Sequence, residues 1–386
     1  MDFALSEEQE LFRTAIRKYM TDLGKTDIAR SIIDGKLESI TRVTSGLAEM
    51  GISAIPIPEE QDGLGLGALD LVPVFEETGR VLLPGIQLET LALAVPLLNA
   101  YGTQVQKSNW LTKVATGEST ISVAWYEQNR GLTPKSFSAI AAKTTSGYAV
   151  TGTKTLVSVL GNPDIFVTAA QTAEGKSLFL IKASDVASQK ILPGIDETQQ
   201  IAQLTFDQAP AELLGEPGEA AQMLDNALLH FNAALCSSMV GGMDELVHTT
   251  TEYAKIRVQF NQPIGRFQAV KHGIVNMKLD LETARSLSYY AAWAVENNTE
   301  DKETAVHSAR SFVSKAYIKA AADSIQLHGG IGFTEELDVQ LYLKRARYYE
   351  NYFGSIRASR KKAAHSLGWH TKPTKQHPVP VSSVTN

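Results

Sequence analysis

The sequence predicts an α+β protein in three parts: an N-terminal helical domain over residues 1–118, a middle β domain over 119–215 and a C-terminal helical bundle over 216–370, with a flexible tail over 371–386. Three observations carry this. Apolar residues recur at helical spacing in the first part, short β-branched and aromatic runs fill the stretch from about 120 to 210, and long uninterrupted helical segments follow.

The first helix starts at a capping box, Ser6 with Gln9, preceded by Phe3 and Leu5 as staples. Leu11, Phe12, Ala15, Ile16, Tyr19 and Met20 then repeat on one face. The stretch MGISAIPIPEEQDGLGLGALD carries two prolines and four glycines and must be loop, after which LDLVPVFEETGRVLL and LETLALAVPLLNAYG return to helical period. No strand precedes Gly63, Gly65 and Gly67, so they read as a turn and not as a phosphate loop. The β runs are TISVAWYE, FSAIAAKTT, GYAVTGTKTLVSV, DIFVTAAQT, SLFLIKA and AQLTFDQA, divided by Gly, Asn, Asp and Ser. After LLGEPGEA, helices are expected at Ala220 to Arg257, Gln268 to Asn298 and Thr304 to His328. The polar end, TKPTKQHPVPVSSVTN, has three prolines and reads as a loose tail.

Bulk properties narrow the function. A chain of 386 residues, 44% hydrophobic and 20% charged, can bury a large core. Its net charge of −6, without any basic run, gives no general attraction to nucleic acid or anionic lipid. No window approaches the length of a membrane span, and the acidic start MDFALSEEQE is neither signal nor transit peptide, so a cytoplasmic location is expected. The single cysteine, Cys236, sits among small apolar residues and reads as a packed core thiol; no metal site is expected.

Several segments together resemble the acyl-CoA dehydrogenase family, over Asp2 to about Ser366. They are DFALSEEQELFR, the pair MGISAIPIPEEQDGLGLGALDLVPVFEETGR and GYAVTGTKTLV, then YAKIRVQFNQPIGRFQAVKH and ADSIQLHGGIGFTEELDVQLYLKRARYYENYFGS. The resemblance implies a β-barrel-like middle domain, FAD as cofactor, an acyl-CoA thioester as substrate and an electron-transfer flavoprotein as partner. A carboxylate base removes the α-proton while the β-hydrogen passes to the flavin; the base must sit in a dry site that raises its basicity.

In this family each FAD crosses a subunit interface, so a chain carries two separable sets of contacts. The set that reaches the neighbour's FAD is present: Arg257 and Phe260 match R-x-x-F, Gln268 the following glutamine, and Gln326, Gly329 and Gly330 the glycine turn. Arg257 suits a pyrophosphate and the glycines allow close backbone approach; individually, Arg257 also reads as a helix cap and the glycines as a helix end. The set that holds the ring of a chain's own FAD departs from the family. AWYEQNRGLT replaces a Thr-Glu-Pro turn, and Leu156, Val157 and Ser158 stand where the family has Trp-Ile-Thr or Trp-Ile-Ser. Ser158 keeps a hydroxyl for the flavin, and Trp125 reads as a strand core residue.

The base is missing as well. Aligned on the glycine, the family's Tyr-Glu-Gly-Thr/Ser becomes Tyr352, Phe353, Gly354 and Ser355. Glu350 lies three residues earlier, about 4.5 Å along a helix and about 60° around it, and reads as a partner of Arg345 or Arg347. At the alternative base site on an earlier helix, the glutamate–arginine pair is replaced by Phe231 and Asn232. The pattern points to the base-lacking subunit of a heteromeric, α2β2 acyl-CoA dehydrogenase, acting on a steroid or other bulky CoA thioester and paired with a partner subunit that carries the glutamate. Three alternatives stay open: a homotetramer using Glu350 or Glu127 as base, a flavin monooxygenase of the same superfamily, and a flavin-free structural subunit.

Overall fold

A computed structural model of the chain describes residues 5–128, 137–145 and 147–369; Phe3, the segment 129–133 and the 371–386 tail lie outside the described residues. Helix α1 (Glu7–Asp22) begins at the expected box, with Ser6 Oγ accepting from Gln9 N at 3.2 Å and Gln9 Oε1 accepting from Ser6 N at 3.0 Å. Helices α2 (Asp27–Ile33) and α3 (Glu38–Glu49) follow. The glycine-rich loop then folds back on the 54–57 turn. Leu64 N donates to Ala54 O and Gly65 N to Ile57 O, so these amides are spent on a turn and are not offered to a phosphate. Helix α4 (Leu71–Arg80) leads to one continuous helical rod made of α5 (Gln87–Glu89), a π turn (Thr90–Ala94) and α6 (Val95–Tyr101). Helix α7 (Gln104–Ala115) starts at a second capping box, Thr103 with Gln106.

The β domain contains β1 (Ile121–Ala124), β2 (Ile140–Thr144), β3 (Gly147–Ser158), β4 (Ile165–Gln171), β5 (Lys176–Lys182), β6 (Ser188–Leu192) and β7 (Ile201–Leu214). Pairing runs β4–β2–β3–β7–β5, and β5 pairs back to β4, which closes the sheet on itself; β1 adds to β4 and β6 to β7. Alternate residues of β4 and β5 face different cores. Phe166, Phe179 and Ile181 fill the barrel, while Val167, Leu178 and Leu180 join the helical core. Burial on both faces explains why IFVTAA and SLFLI are unbroken apolar runs. The sequence reading lacks β6: its residues, SQKIL, are almost all exposed at the edge and show no apolar alternation.

Helix α8 (Ala220–Ile256) has 37 residues, a rod of about 55 Å. A short hairpin, β8 (Val258–Gln259) and β9 (Gln262–Pro263), separates it from α9 (Gln268–Glu296). Then come α10 (Lys302–His328), a 3-10 turn (Gly329–Phe333), α11 (Val339–Asn351) and α12 (Ile356–Ser366). Helix α4 crosses α8 so closely that a Cβ on Gly241 would lie 1.9 Å from Glu76 O, and one on Gly79 would lie 2.1 Å from Ser238 O. Cys236 is fully buried on α8, and burial pushes its thiol up to about 12. Among the described residues no helix is long and apolar enough to cross a membrane, and no group of three acidic, His or Cys side chains could hold a metal.

One buried arginine joins all three parts. Arg345 of α11 pairs with Asp196 in the loop before β7 and donates to Thr198 Oγ1 at 2.6 Å. It also donates to the carbonyls of Leu82 and Leu83, which follow α4, both at 3.2 Å.

Candidate functional site

The residues expected to reach a neighbour's FAD begin where α8 ends. Arg257 closes that helix through its backbone, donating to Tyr253 O at 2.8 Å, and its exposed side chain makes no ion pair among the described residues. The chain then reverses through a two-residue hairpin whose tip residues, Phe260 and Asn261, have φ of +52° and +62°. Such a tip needs positive φ at both positions, which suits Asn and strains Phe. The strained ring is 85% exposed, with Phe267 at 5.9 Å as its ring neighbour. A large ring held in a costly conformation against water fits a surface meant to be covered.

Gln268 opens α9 and is exposed, as are Gln326, Gly329 and Gly330 at the end of α10. Gly329 has φ +66° and ψ −143°, which only glycine adopts readily. A Cβ on Gly329 or Gly330 would meet no atom within 4 Å, so both backbones face open space. Exposed apolar side chains follow: Ile256 at the end of α8, Val258 in the hairpin, Val275 and Leu279 on α9 and Phe333 in the turn after α10. An unpaired guanidinium, two exposed amide side chains and open glycine backbone fit the anionic and polar part of a dinucleotide.

The inward site is closed. The two positions at which the resemblance would place a base, Phe353 and Phe231, meet ring to ring at 5.1 Å and 76°. Phe353 also stacks on Tyr126 at 5.6 Å, and Tyr352 packs against Phe231 at 5.2 Å and Tyr348 at 4.9 Å. Phe353 sits at φ +51° in the turn between α11 and α12, and Ser355 caps α12 by accepting from Ala358 N. Arg310 fixes this turn from below. Fully buried and without a carboxylate partner among the described residues, it donates to the carbonyls of Tyr349, Tyr352 and Gly354 at 2.5, 3.3 and 3.5 Å.

The remaining expected residues are distributed as follows. Ser158 is buried, and its hydroxyl, expected to face a flavin, is hydrogen-bonded to Tyr352 OH at 3.0 Å with Tyr348 OH at 3.5 Å. Leu156 lies at a bulge of β3 with φ +55° and is partly exposed. Trp125 is half-buried just past β1, edge-on to Phe137 at 4.7 Å, and is not a strand residue. Glu350 pairs with Arg347 at 3.1 Å, whereas Arg345 is committed to Asp196. Glu127 accepts from Lys154 at 2.7 Å, from Ser138 N and Oγ at 2.6 Å and from Ala139 N at 3.1 Å. Burial raises its carboxyl, but these bonds outweigh burial and hold it below the ordinary value.

Sequence reasoning missed Glu89. Its carboxylate is buried at the end of α5, accepting from Ser122 Oγ at 2.8 Å, Val123 N and Tyr352 OH at 2.5 Å, with no ion pair among the described residues. Burial pushes its carboxyl up, against the bonds from Tyr352, Val123 and Ser122. The available signal was a lone acid inside the apolar run GIQLETLALAV, where helical spacing alone gives it no outward face.

Comparison with known proteins places this geometry. A family model described as the acyl-CoA dehydrogenase N-terminal domain matches residues 6–118, and one described as the acyl-CoA dehydrogenase C-terminal domain matches residues 221–367. The chain is 27% identical over 385 residues to a probable acyl-CoA dehydrogenase of Bacillus subtilis, covering 95% of this chain and 100% of that one. Butyryl-CoA dehydrogenase from Megasphaera elsdenii superposes with a TM-score of 0.86 at 23% identity, over 95% of this chain and 100% of the other. A structure named the Tcur3481-Tcur3483 steroid ACAD gives 0.84 at 25% identity, over 94% and 98%.

Proposed function

The chain belongs to the acyl-CoA dehydrogenase family, and from that premise we propose that it is the base-lacking subunit of a heteromeric FAD-dependent acyl-CoA dehydrogenase. FAD is the cofactor of this fold and, when bound, accepts the two electrons removed from the acyl chain. Arg257, Phe260, Gln268, Gln326, Gly329 and Gly330 would hold the FAD of a partner chain. Arg257 supplies charge to its pyrophosphate, the glycines allow backbone approach, and Phe260 covers it. The partner supplies the glutamate and the acyl-CoA site, and an electron-transfer flavoprotein takes the electrons onward. Steroid or other bulky CoA thioesters are the proposed substrates, supported by the likeness to the steroid ACAD.

One observation carries the reading. Both positions from which relatives could deliver a base hold phenylalanines that pack against each other, so neither can take the α-proton. The test is FAD stoichiometry of this chain purified alone and with a candidate partner chain. A colourless chain alone that forms a yellow complex with about half the flavin of a homotetramer is the expected result. One FAD per chain in a homotetramer sinks the reading.

A second reading rests on Glu89, the buried carboxylate bonded to Tyr352 beside the ring cluster. In that case the chain alone would oxidise acyl-CoA, and Glu89→Gln would abolish turnover. Glu127 and Glu350 do not serve this reading, since each is committed to a cation.

A further inference from the structure

Two of the segments proposed to hold a partner's FAD lie far apart in sequence: Arg257 follows α8, while Gly329 and Gly330 follow α10. A pair of side chains ties them together. The ring of Tyr253 stacks on that of His328, with centroids 4.4 Å apart and planes 30° apart, and Tyr253 OH donates to His328 O at 3.3 Å. Each member adjoins one segment. Tyr253 lies one turn before Arg257, whose N–H donates to Tyr253 O at 2.8 Å, and His328 is the last residue of α10, joined through its peptide to Gly329.

His328 is itself firmly held. It is 4% exposed, and its Nδ1 lies 2.8 Å from Ser324 O; a carbonyl only accepts, so that nitrogen carries the proton. Burial keeps the imidazole below its ordinary value despite this bond, so the ring is uncharged at neutral pH. One turn deeper, Ser324 Oγ and Thr250 Oγ1 are 2.8 Å apart, a second buried bond between the same two helices. The turn that follows has no such rigidity of its own. Two successive glycines give the backbone wide freedom, and Gly329 uses it at φ +66° and ψ −143°. What aims the turn is the peptide that enters it, and the carbonyl of that peptide is the one bonded to Tyr253.

We propose that Tyr253 is a positioning residue that sets the Gly329–Gly330 turn against Arg257, so that both meet one dinucleotide. The inference rests on the proposed binding of a partner's FAD by these residues. Without the Tyr253 ring and hydroxyl the turn samples other orientations, and a cofactor must order it again on binding.

Two measurements test this separately. The first needs no cofactor: hydrogen–deuterium exchange of the full-length chain, read by mass spectrometry. Tyr253→Leu should speed exchange over residues 329–334 about tenfold, and Tyr253→Phe, which keeps the stack, by less, with α4 unchanged in both. Unaltered exchange there overturns the proposal whatever binds the turn. The second is the rate of FAD loss from the flavin-containing complex. Tyr253→Leu should raise it about tenfold, as expected for one hydrogen bond and one aromatic stack. In a Gly329→Ala background, where the turn is already displaced, the same change should add less than about twofold. Equal acceleration in both backgrounds would mean that Tyr253 only stabilises the fold, and would overturn the proposal. So would no acceleration where Arg257→Ala does speed FAD loss. If Arg257→Ala and Gly329→Ala are both without effect, the FAD reading itself fails and takes this inference with it. Should Tyr253→Leu not fold, Tyr253→Phe gives the same comparisons at smaller amplitude.

Discussion

Asp196→Asn is the sharpest perturbation of how the three parts are held together. Arg345 and Asp196 are both almost fully buried, and the side chain of Asp196 also accepts from Thr198 N at 3.1 Å and Thr198 Oγ1 at 2.6 Å. Asparagine keeps the shape and one acceptor, but leaves the guanidinium buried among neutral groups. Removing one member of a buried pair costs about 3–5 kcal/mol. Arg345 retains Thr198 Oγ1 and the carbonyls of Leu82 and Leu83, which argues for the lower end, about 3 kcal/mol. With an m value of about 3 kcal/mol per M, the urea midpoint should fall by about 1 M. The assay is urea unfolding followed by far-UV circular dichroism and tryptophan fluorescence. Asp196→Asn combined with Arg345→Met, which removes both charges, should recover part of the loss, because a neutral packed pair is often no worse than an ionic one. A shift below about 0.3 M in the single variant, or additive losses in the double variant, would refute the reasoning.

Other consequences can be measured directly. Gly241→Ala places a methyl group against Glu76 O, which forces α4 and α8 apart; a loss of about 3 kcal/mol is expected, seen as a thermal midpoint about 4 °C lower. For Glu89 the sign follows from burial: a raised carboxyl means that the folded chain holds the proton more tightly than the unfolded chain. Stability should therefore fall as pH climbs from the ordinary 4.5 through the raised value, and Glu89→Gln should flatten that profile; parallel profiles would count against it. In the flavin-containing complex, Arg257→Ala should weaken FAD retention by about 10- to 100-fold, as expected for a charge-assisted bond of about 1.5–3 kcal/mol, with Arg257→Lys intermediate. Unchanged flavin content after Arg257→Ala would place the cofactor elsewhere. Glu127→Gln strands Lys154, already pushed down to about 8 by burial despite its glutamate, and should lower the urea midpoint by about 1 M.

Helix ends were legible because they are local. Ser6 and Gln9 form the box that their spacing announces, and α8, α9 and α10 start and stop within a few residues of the expected points. Closure of the barrel was not legible from periodicity, since the pairing of β5 with β4 and β7 is non-local and entered only through the resemblance. The outward set was readable only as a motif, because Arg257, Phe260 and Gln268 lie within a dozen residues of one another. The inward cluster was only half readable. Sequence placed Phe353 and Phe231 at base positions but gave no sign that residues 122 apart would meet, or that Glu89, Ser158 and Tyr352 would share hydrogen bonds across three parts of the chain.

The packing around Phe353 makes that ring hard to replace. Exchanging that ring for a glutamate would wedge a carboxylate between Tyr126 and Phe231, with Arg310 already spent on carbonyls beneath. An unpaired buried carboxylate is so costly that the group would keep its proton or the turn would move. A glutamate could be accommodated there only after several neighbouring rings had shrunk first, each change opening a void that destabilises the chain. Once such a cluster has closed, no single substitution leads downhill out of it.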